Sequence, residues 1–262
     1  MITAGLDLGS TYVKAVVLKD KRRVGYAVLP TGNDHVKASR VVLEKALEMA
    51  SIEVGDVEYI VSTGYGRRVT PLAHENISEI TANARGVRWL GRKLGVRTII
   101  DIGGQDTKVI SLDENGKIAN FAMNDKCAAG TGRFLEVLAH VLEIPLDEMG
   151  PLSLKSQNPV DITTTCLVFA KTEIARMIFK GHRKEDVVAG IHRSVARRLT
   201  AMARRVGVKE VVFFDGGPAR NIGMVRALEE ELGVKLYIPE LPQIVTATGA
   251  ALIAMEKLEE RS

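Results

Sequence analysis

Ile99-Ile100-Asp101-Ile102-Gly103-Gly104-Gln105-Asp106-Thr107-Lys108-Val109-Ile110-Ser111-Leu112 is the stretch that decides the fold. An apolar run ends on an aspartate, a glycine turn follows, and a second apolar run leaves it, which is the pattern of strand, turn and strand. Glycine at the turn lets backbone amides approach a phosphate. A carboxylate at the end of an apolar strand can hold a magnesium ion, directly or through water. Such a turn is common and carries little weight alone, but here it has a counterpart. Residues 2–18 form a similar pair of strands around Asp7-Leu8-Gly9-Ser10-Thr11, where Ser10, Thr11 and Lys14 add donors. Asp7 matches Asp101, Gly9 matches Gly103 and Lys14 matches Lys108, all at an offset of 94. A second, weaker repeat sets Tyr59-Ile60-Val61-Ser62-Thr63-Gly64-Tyr65-Gly66-Arg67 against the stretch from Val211 through Asp215-Gly216-Gly217 to Arg220. Internal duplication implies two similar α/β lobes, each with a phosphate loop, facing each other across a cleft that holds a nucleotide.

Between the loops the elements alternate. The apolar spacing predicts helices over 36–50 and 77–93, with a strand over 57–62. Gly95-Val96-Arg97 is the candidate lobe boundary, and residues 144–160, rich in proline and polar side chains, read as a connecting loop. A long helix is expected over 185–206, a strand over 210–214, a helix over 221–232 and a strand over 234–238. Thr246-Ala247-Thr248-Gly249-Ala250-Ala251 opens a last helix whose small residues allow close packing against the first lobe. The expected lobes are therefore residues 1–95 with the helix of 246–262, and residues 96–245.

Composition sets the class. The chain has 262 residues, of which 46% are hydrophobic and 26% charged, ordinary values for a soluble globular protein. The opening residues read as a strand, so no secretory leader is expected, and no apolar run approaches the ~18 residues of a membrane span. The expected location is the cytoplasm, with no membrane partner. Net charge is +4. Arginines cluster at Arg85, Arg88, Arg92 and Arg97, and again from Arg193 to Arg205, but no aromatics interleave with them to stack on bases. That argues against nucleic acid. An acidic partner protein remains compatible with the charge. His35, His74, His140, His182 and His192 lack metal-ligand spacing and read as surface or core residues.

The chain contains two cysteines. A structural disulfide is not expected in a reducing compartment, and the spacing fits neither a thioredoxin motif nor a one-chain zinc knuckle. Cys127 lies in Asn124-Asp125-Lys126-Cys127-Ala128-Ala129-Gly130-Thr131-Gly132-Arg133-Phe134, ahead of an amphipathic run. Cys166 follows Thr163-Thr164-Thr165 and precedes another such run. Both thiols are thereby placed at predicted helix N-termini, where unpaired amides and the helix dipole favour a thiolate or an anionic cluster. Buried, inert thiols are the plainer alternative.

The duplicated loops, the later Asp215-Gly216-Gly217 and the final Gly249-Ala250-Ala251 resemble the superfamily of two-lobed ATPases that includes acetate and sugar kinases, heat-shock chaperones and actin. Within it, the cysteine stretch, Asp101-Ile102-Gly103-Gly104-Gln105-Asp106 and Thr165-Cys166-Leu167-Val168-Phe169-Ala170 resemble the activator component of 2-hydroxyacyl-CoA dehydratases. Ala189-Gly190-Ile191-His192-Arg193-Ser194-Val195-Ala196 and Thr63-Gly64-Tyr65-Gly66-Arg67 fit the same pattern. So do the related ATPase subunits of benzoyl-CoA reductase, in the BadF/BadG/BcrA/BcrD family. The resemblance implies an oxygen-sensitive homodimer with one [4Fe-4S] cluster between its subunits, held by Cys127 and Cys166 of each. The arithmetic agrees, since such a cluster wants four thiolates and each chain supplies two. A zinc site across the same dimer is the metal alternative. ATP binding and hydrolysis would change the angle between the helices at the cluster. An electron from a ferredoxin or flavodoxin would then pass to the dehydratase or reductase partner.

Carried over by residue, the resemblance places Asp7 near Mg2+, with Gly9, Ser10, Thr11 and Lys14 on phosphate from the first lobe. Asp101, Gly103, Gly104 and Gln105 serve from the second. Gln105 or Asp106 would orient the attacking water. Gly216 and Gly217 would border the adenosine of ATP or ADP, with Gln243 nearby. Lys171 stands where the resemblance leads one to expect an acidic residue. A small-molecule kinase of the same fold and an ATP-gated iron-sulfur module without a dehydratase partner are the competing functions; neither accounts as well for both the loops and the thiols.

Overall fold

The structure, a computed structural model, describes residues 1–164 and 166–261. The chain divides into two compact units: Met1–Val96 with Glu114–Ile118 and the chain from Pro239, and Arg97–Asp113 with Ala119–Ile238.

The first unit opens with a three-strand meander, β1 (Ile2–Leu8), β2 (Tyr12–Lys19) and β3 (Arg22–Pro30). Helix α1 (His35–Ala50) follows, its first turn capped by the Asp34 side chain, which accepts from the Lys37 amide. Strand β4 (Tyr59–Thr63) lies parallel to β1, β5 (Glu75–Asn76) lies parallel to β4, and α2 (Glu79–Leu90) is capped by Ser78. The sheet order is β3-β2-β1-β4-β5.

The second unit repeats that order. Its elements are β6 (Thr98–Ile102), β7 (Thr107–Leu112), β8 (Ile118–Asn124), α3 (Gly132–Val141), α4 (Met149–Ser153), α5 (Leu167–Phe179), α6 (Lys184–Val206), β9 (Val212–Gly216), α7 (Ile222–Leu232) and β10 (Leu236–Tyr237). Its sheet runs β8-β7-β6-β9-β10, so each unit has an antiparallel pair, a parallel neighbour and a short outer strand. The register matches residue by residue: Asp7 stands opposite Lys14 and Thr63, and Asp101 opposite Lys108 and Asp215. The duplicated α/β architecture read from the sequence is the one observed.

The last helix, α8 (Val245–Glu259), belongs to the first unit. Thr3 Oγ1 donates to the Ala251 carbonyl at 3.0 Å, and α8 packs on α2 through glycine. A methyl group on Gly249 would overlap the Ala82 carbonyl oxygen, and one on Gly86 would overlap that of Val245. Backbone cannot yield as a side chain does. Gly249→Ala is therefore expected to cost about 3 kcal/mol, read as a lowered urea midpoint for the first unit; a midpoint equal to that of the unsubstituted protein would show that the helices separate freely.

Two expectations change. Residues 144–160 contain α4, because burial of Met149 against α6 and α7 stabilises a turn that proline and glycine alone would not, and Pro151 lies in its first turn, where it is tolerated. The strand expected over 234–238 shortens to Leu236–Tyr237, the two residues that pair with Val212 and Phe213 of β9. No described helix is long and apolar enough to cross a membrane.

Candidate functional site

In the first unit Asp7 is 3% exposed, and its Oδ2 accepts from Lys14 Nζ at 2.8 Å across the hairpin, while Oδ1 has no hydrogen-bond partner. In the second unit Lys108, 1% exposed, lies 3.5 Å from Asp101 Oδ2 and 2.7 Å from Asp106 Oδ2. Each aspartate is closed over by a glycine at the end of the neighbouring parallel strand. Gly64 has φ +91, and a Cβ on it would stand 2.7 Å from the Leu8 carbonyl oxygen and 2.8 Å from Asp7 Oδ1. Gly216 has φ +85, and a Cβ there would overlap the Ile102 carbonyl and stand 2.8 Å from Asp101 Oδ1. No side chain fits at either position, which explains why the weaker repeat keeps glycine at both.

The turn carbonyls are held by the protein. Thr31 donates its hydroxyl to the Gly9 carbonyl and its amide to that of Thr11, at 2.8 and 2.9 Å. The equivalent Gly103 carbonyl accepts from the Gly132 amide at 2.9 Å, and Gly104 from Arg133 at 2.8 Å. Because the peptide unit is planar and trans, each engaged carbonyl directs the next amide the opposite way. The amides of Ser10, Gly104 and Gln105 therefore face away from the elements that grip the loops, as phosphate binding requires. Gln105 is exposed while the Asp106 carboxylate is taken by Lys108, so Gln105 is the freer of the two residues proposed for positioning water. Ser10 and Thr11 are half-buried in the first turn, and Gly217 is exposed at the start of a short 3-10 turn. Gln243 belongs to the first unit, in the turn Pro242–Ile244.

The thiols stand differently from one another. Cys166 is exposed at the N-cap of α5, as expected, and its carbonyl accepts from the Ala170 amide; Thr165 of the same motif lies outside the described residues. Cys127 is not at a helix terminus. Gly130, at φ +86, and the hydrogen bonds from Thr131 to the Ala128 carbonyl form a separate turn, and α3 begins only after its cap at Thr131. Asn124 Nδ2 pins this turn by donating to the carbonyls of Cys127 and Ala129, at 2.8 and 3.1 Å. Thr107 Oγ1 donates to the Gly130 carbonyl at 2.6 Å. The Cys127 turn thus continues into the α3 amides that hold Gly103 and Gly104.

Both thiols are free, and among the described residues no group of three or more His, Cys, Asp or Glu side chains could hold a metal ion. The chain therefore brings two soft donors and not a complete set. Beside Cys166, Val168 and Phe169 are 70% and 67% exposed, an apolar setting that suits a thiolate-held cluster shared with a second surface.

The sequence reading missed the pairing of half-buried Asn221 with buried His192 in this region. Asn221 follows the glycine pair and caps α7 by accepting from the Met224 amide, and its Nδ2 donates to His192 Nε2 at 3.1 Å. Burial pushes the His192 pKa down to about 4, so the ring is neutral with its proton on Nδ1. The unfolded chain takes up that proton near pH 6.5 and the folded one only near 4. Stability should therefore fall as pH drops through that window, by on the order of 3 kcal/mol. A His192→Gln variant with the same pH dependence between 6.5 and 4 would contradict this.

Residues 4–254 match the BadF/BadG/BcrA/BcrD ATPase family. A 2-hydroxyisocaproyl-CoA dehydratase activator from Clostridioides difficile is 45% identical over 261 residues, 99% of this chain and 97% of that protein. The (R)-2-hydroxyglutaryl-CoA dehydratase activating ATPase of Acidaminococcus fermentans is 44% identical, over 97% of each chain. The solved structure of the 2-hydroxyisocaproyl-CoA dehydratase activator from Clostridium difficile with bound ADPNP superimposes with a TM-score of 0.94 at 44% identity, covering 100% of this chain and 97% of that one. A ROK hexokinase from Thermus thermophilus, at 17% identity and a TM-score of 0.54, shares the fold alone.

Proposed function

This chain belongs to the BadF/BadG/BcrA/BcrD ATPase family, and from that membership we propose that it is an ATP-dependent, low-potential one-electron donor. Its acceptor would be a 2-hydroxyacyl-CoA dehydratase or a reductase of the benzoyl-CoA type, its donor a ferredoxin or flavodoxin, and its compartment the cytoplasm. The observation that carries the reading is the shared frame of loop and thiol: Gly103 and Gly104 accept from the first amides of α3, which follow directly on the Cys127 turn. A loop that responds to nucleotide is thereby tied to a segment that bears a ligand.

Each glycine loop binds phosphate of ATP through its outward amides, with Ser10 and Thr11 adding hydroxyl donors and Lys14 a positive charge. The unpartnered Asp7 Oδ1 fits a magnesium ion or its water, and Asp101 is the corresponding carboxylate. Gln105 orients the attacking water, while Asp106 fixes Lys108. Gly216 and Gly217 border the adenosine, and Gln243 is a further candidate for contact with it. Cys127 and Cys166 hold half of a [4Fe-4S] cluster, and a second copy of the chain supplies the other half. Bound there, the cluster supplies storage and release of a single electron.

The test is anaerobic purification followed by iron and acid-labile sulfide analysis, with visible and EPR spectra before and after dithionite. About four of each per two chains, bleached by air, is expected. ATP-dependent reduction of candidate acceptors would follow. A colourless, air-stable ATPase that takes up no iron on reconstitution would overturn the reading in favour of a kinase of the same fold.

A further inference from the structure

Glu173 lies in α5 seven residues beyond Cys166, close to two helical turns and so on the same face as the cysteine. Helical side chains slant toward the N-terminus, and a glutamate at this position reaches back to the chain that enters the helix. Its carboxylate does so with both oxygens. Oε1 accepts from the Thr163 amide at 3.2 Å and from the Thr163 hydroxyl at 3.1 Å, and Oε2 accepts from the Thr164 amide at 3.1 Å. All three donors come from the two threonines nearest to Cys166 among the described residues before it.

We propose that Glu173 is the positioning residue of Cys166, locking the threonines ahead of the thiol to the helix behind it. Cys166 is exposed, with exposed Val168 and Phe169 close by, so its own side chain gains nothing from the core, and Leu167, half-buried, is the neighbour that packs there. Ala170 and Ile174 anchor the adjoining face of α5 in the core, and Glu173, next to Ile174, transfers that anchorage to the segment that enters the helix. Ionised acceptors hold backbone amides more firmly than neutral ones. Burial opposes the charge on Glu173, yet the bonds from Thr164 and Thr163 hold its carboxyl below the usual carboxylate range. A tilt of α5 then carries the thiol with it as one body. The proposal rests on the reading of Cys166 as a cluster ligand, but the positioning itself can be tested without a cluster.

The experiment uses the full chain in a Cys127→Ser background, with a nitroxide label on Cys166. Glu173→Ala is expected to sharpen the label's EPR lines, marking a looser N-cap, while Glu173→Gln, which keeps one carbonyl acceptor, recovers part of the restraint. In the otherwise unsubstituted, reconstituted protein, Glu173→Ala should speed loss of the cluster's visible absorption under a chelator by about ten- to a hundredfold. Melting temperature is followed in each variant, so that general unfolding is recognised. Unchanged line shapes and cluster lifetime would overturn the proposal, as would changes that only track the melting temperature. If the protein takes up no iron but the label still loosens in Glu173→Ala, the positioning role stands and the cluster reading falls.

Discussion

Replacing Cys166 with serine should leave a folded, ATP-binding protein whose iron content drops from about four per two chains to background. The substitution changes one atom on an exposed N-cap, and surface changes of this kind usually alter stability by less than about 0.5 kcal/mol. Serine also remains a favourable cap. What is lost is the thiolate, the form in which cysteine binds metal. Symmetry doubles the damage, because each substitution removes two of the four ligands in the proposed dimer. Cys127→Ser should behave alike, since Asn124 grips the backbone of that turn and not its sulfur. Iron and sulfide analysis beside nucleotide-binding calorimetry separates the two properties. Full iron retention in Cys166→Ser would remove the cysteine from the ligand set.

Asp7→Asn should lower ATP hydrolysis by about a hundredfold or more, in the range seen when one charge-stabilising group is removed from a reacting site. The side chain is nearly isosteric, and Asp7 is buried beside Leu8 and Gly64, so the space is unchanged. The charge is gone, however: Lys14 loses the carboxylate 2.8 Å away, and a divalent cation loses the negative oxygen it would seek. Magnesium dependence should weaken together with the rate, whereas nucleotide affinity measured without magnesium should change little. Steady-state turnover across a magnesium titration checks this. Hydrolysis at the unsubstituted rate would mean that Asp7 serves only to hold Lys14.

The fold was legible because strand alternation has a strict period. A residue at the end of one strand and a lysine seven positions on can meet only across a tight hairpin, and the repeated Asp7–Lys14 and Asp101–Lys108 spacings therefore announced two equivalent hairpins. Gly64 and Gly216 were visible as a weaker repeat, but their function was not, since it depends on the backbone of another strand lying where a methyl group would go. The Cys127 turn was misread as a helix start because small residues signal either, and only the left-handed Gly130 decides between them. Glu173 and His192 were opaque for another reason. Each acts through partners distant along the chain, Thr163 and Thr164 in one case and Asn221 in the other, and no local pattern encodes that meeting.

The return of α8 to the first unit has a consequence for biosynthesis. Thr3 bonds to Ala251, and Arg261 donates to the Tyr59 hydroxyl, so contacts that complete this unit span 248 and 202 residues of sequence. Such separations raise contact order and slow folding. On the ribosome, β1 to β4 emerge early with the face that buries Val16 and Leu18 still lacking Ala247, Ala251 and Met255. Every element of the second unit is translated before those residues arrive. The nascent first unit therefore waits, half-covered, until α8 has been made, and it is in this interval that the chain is most open to aggregation and most dependent on chaperones.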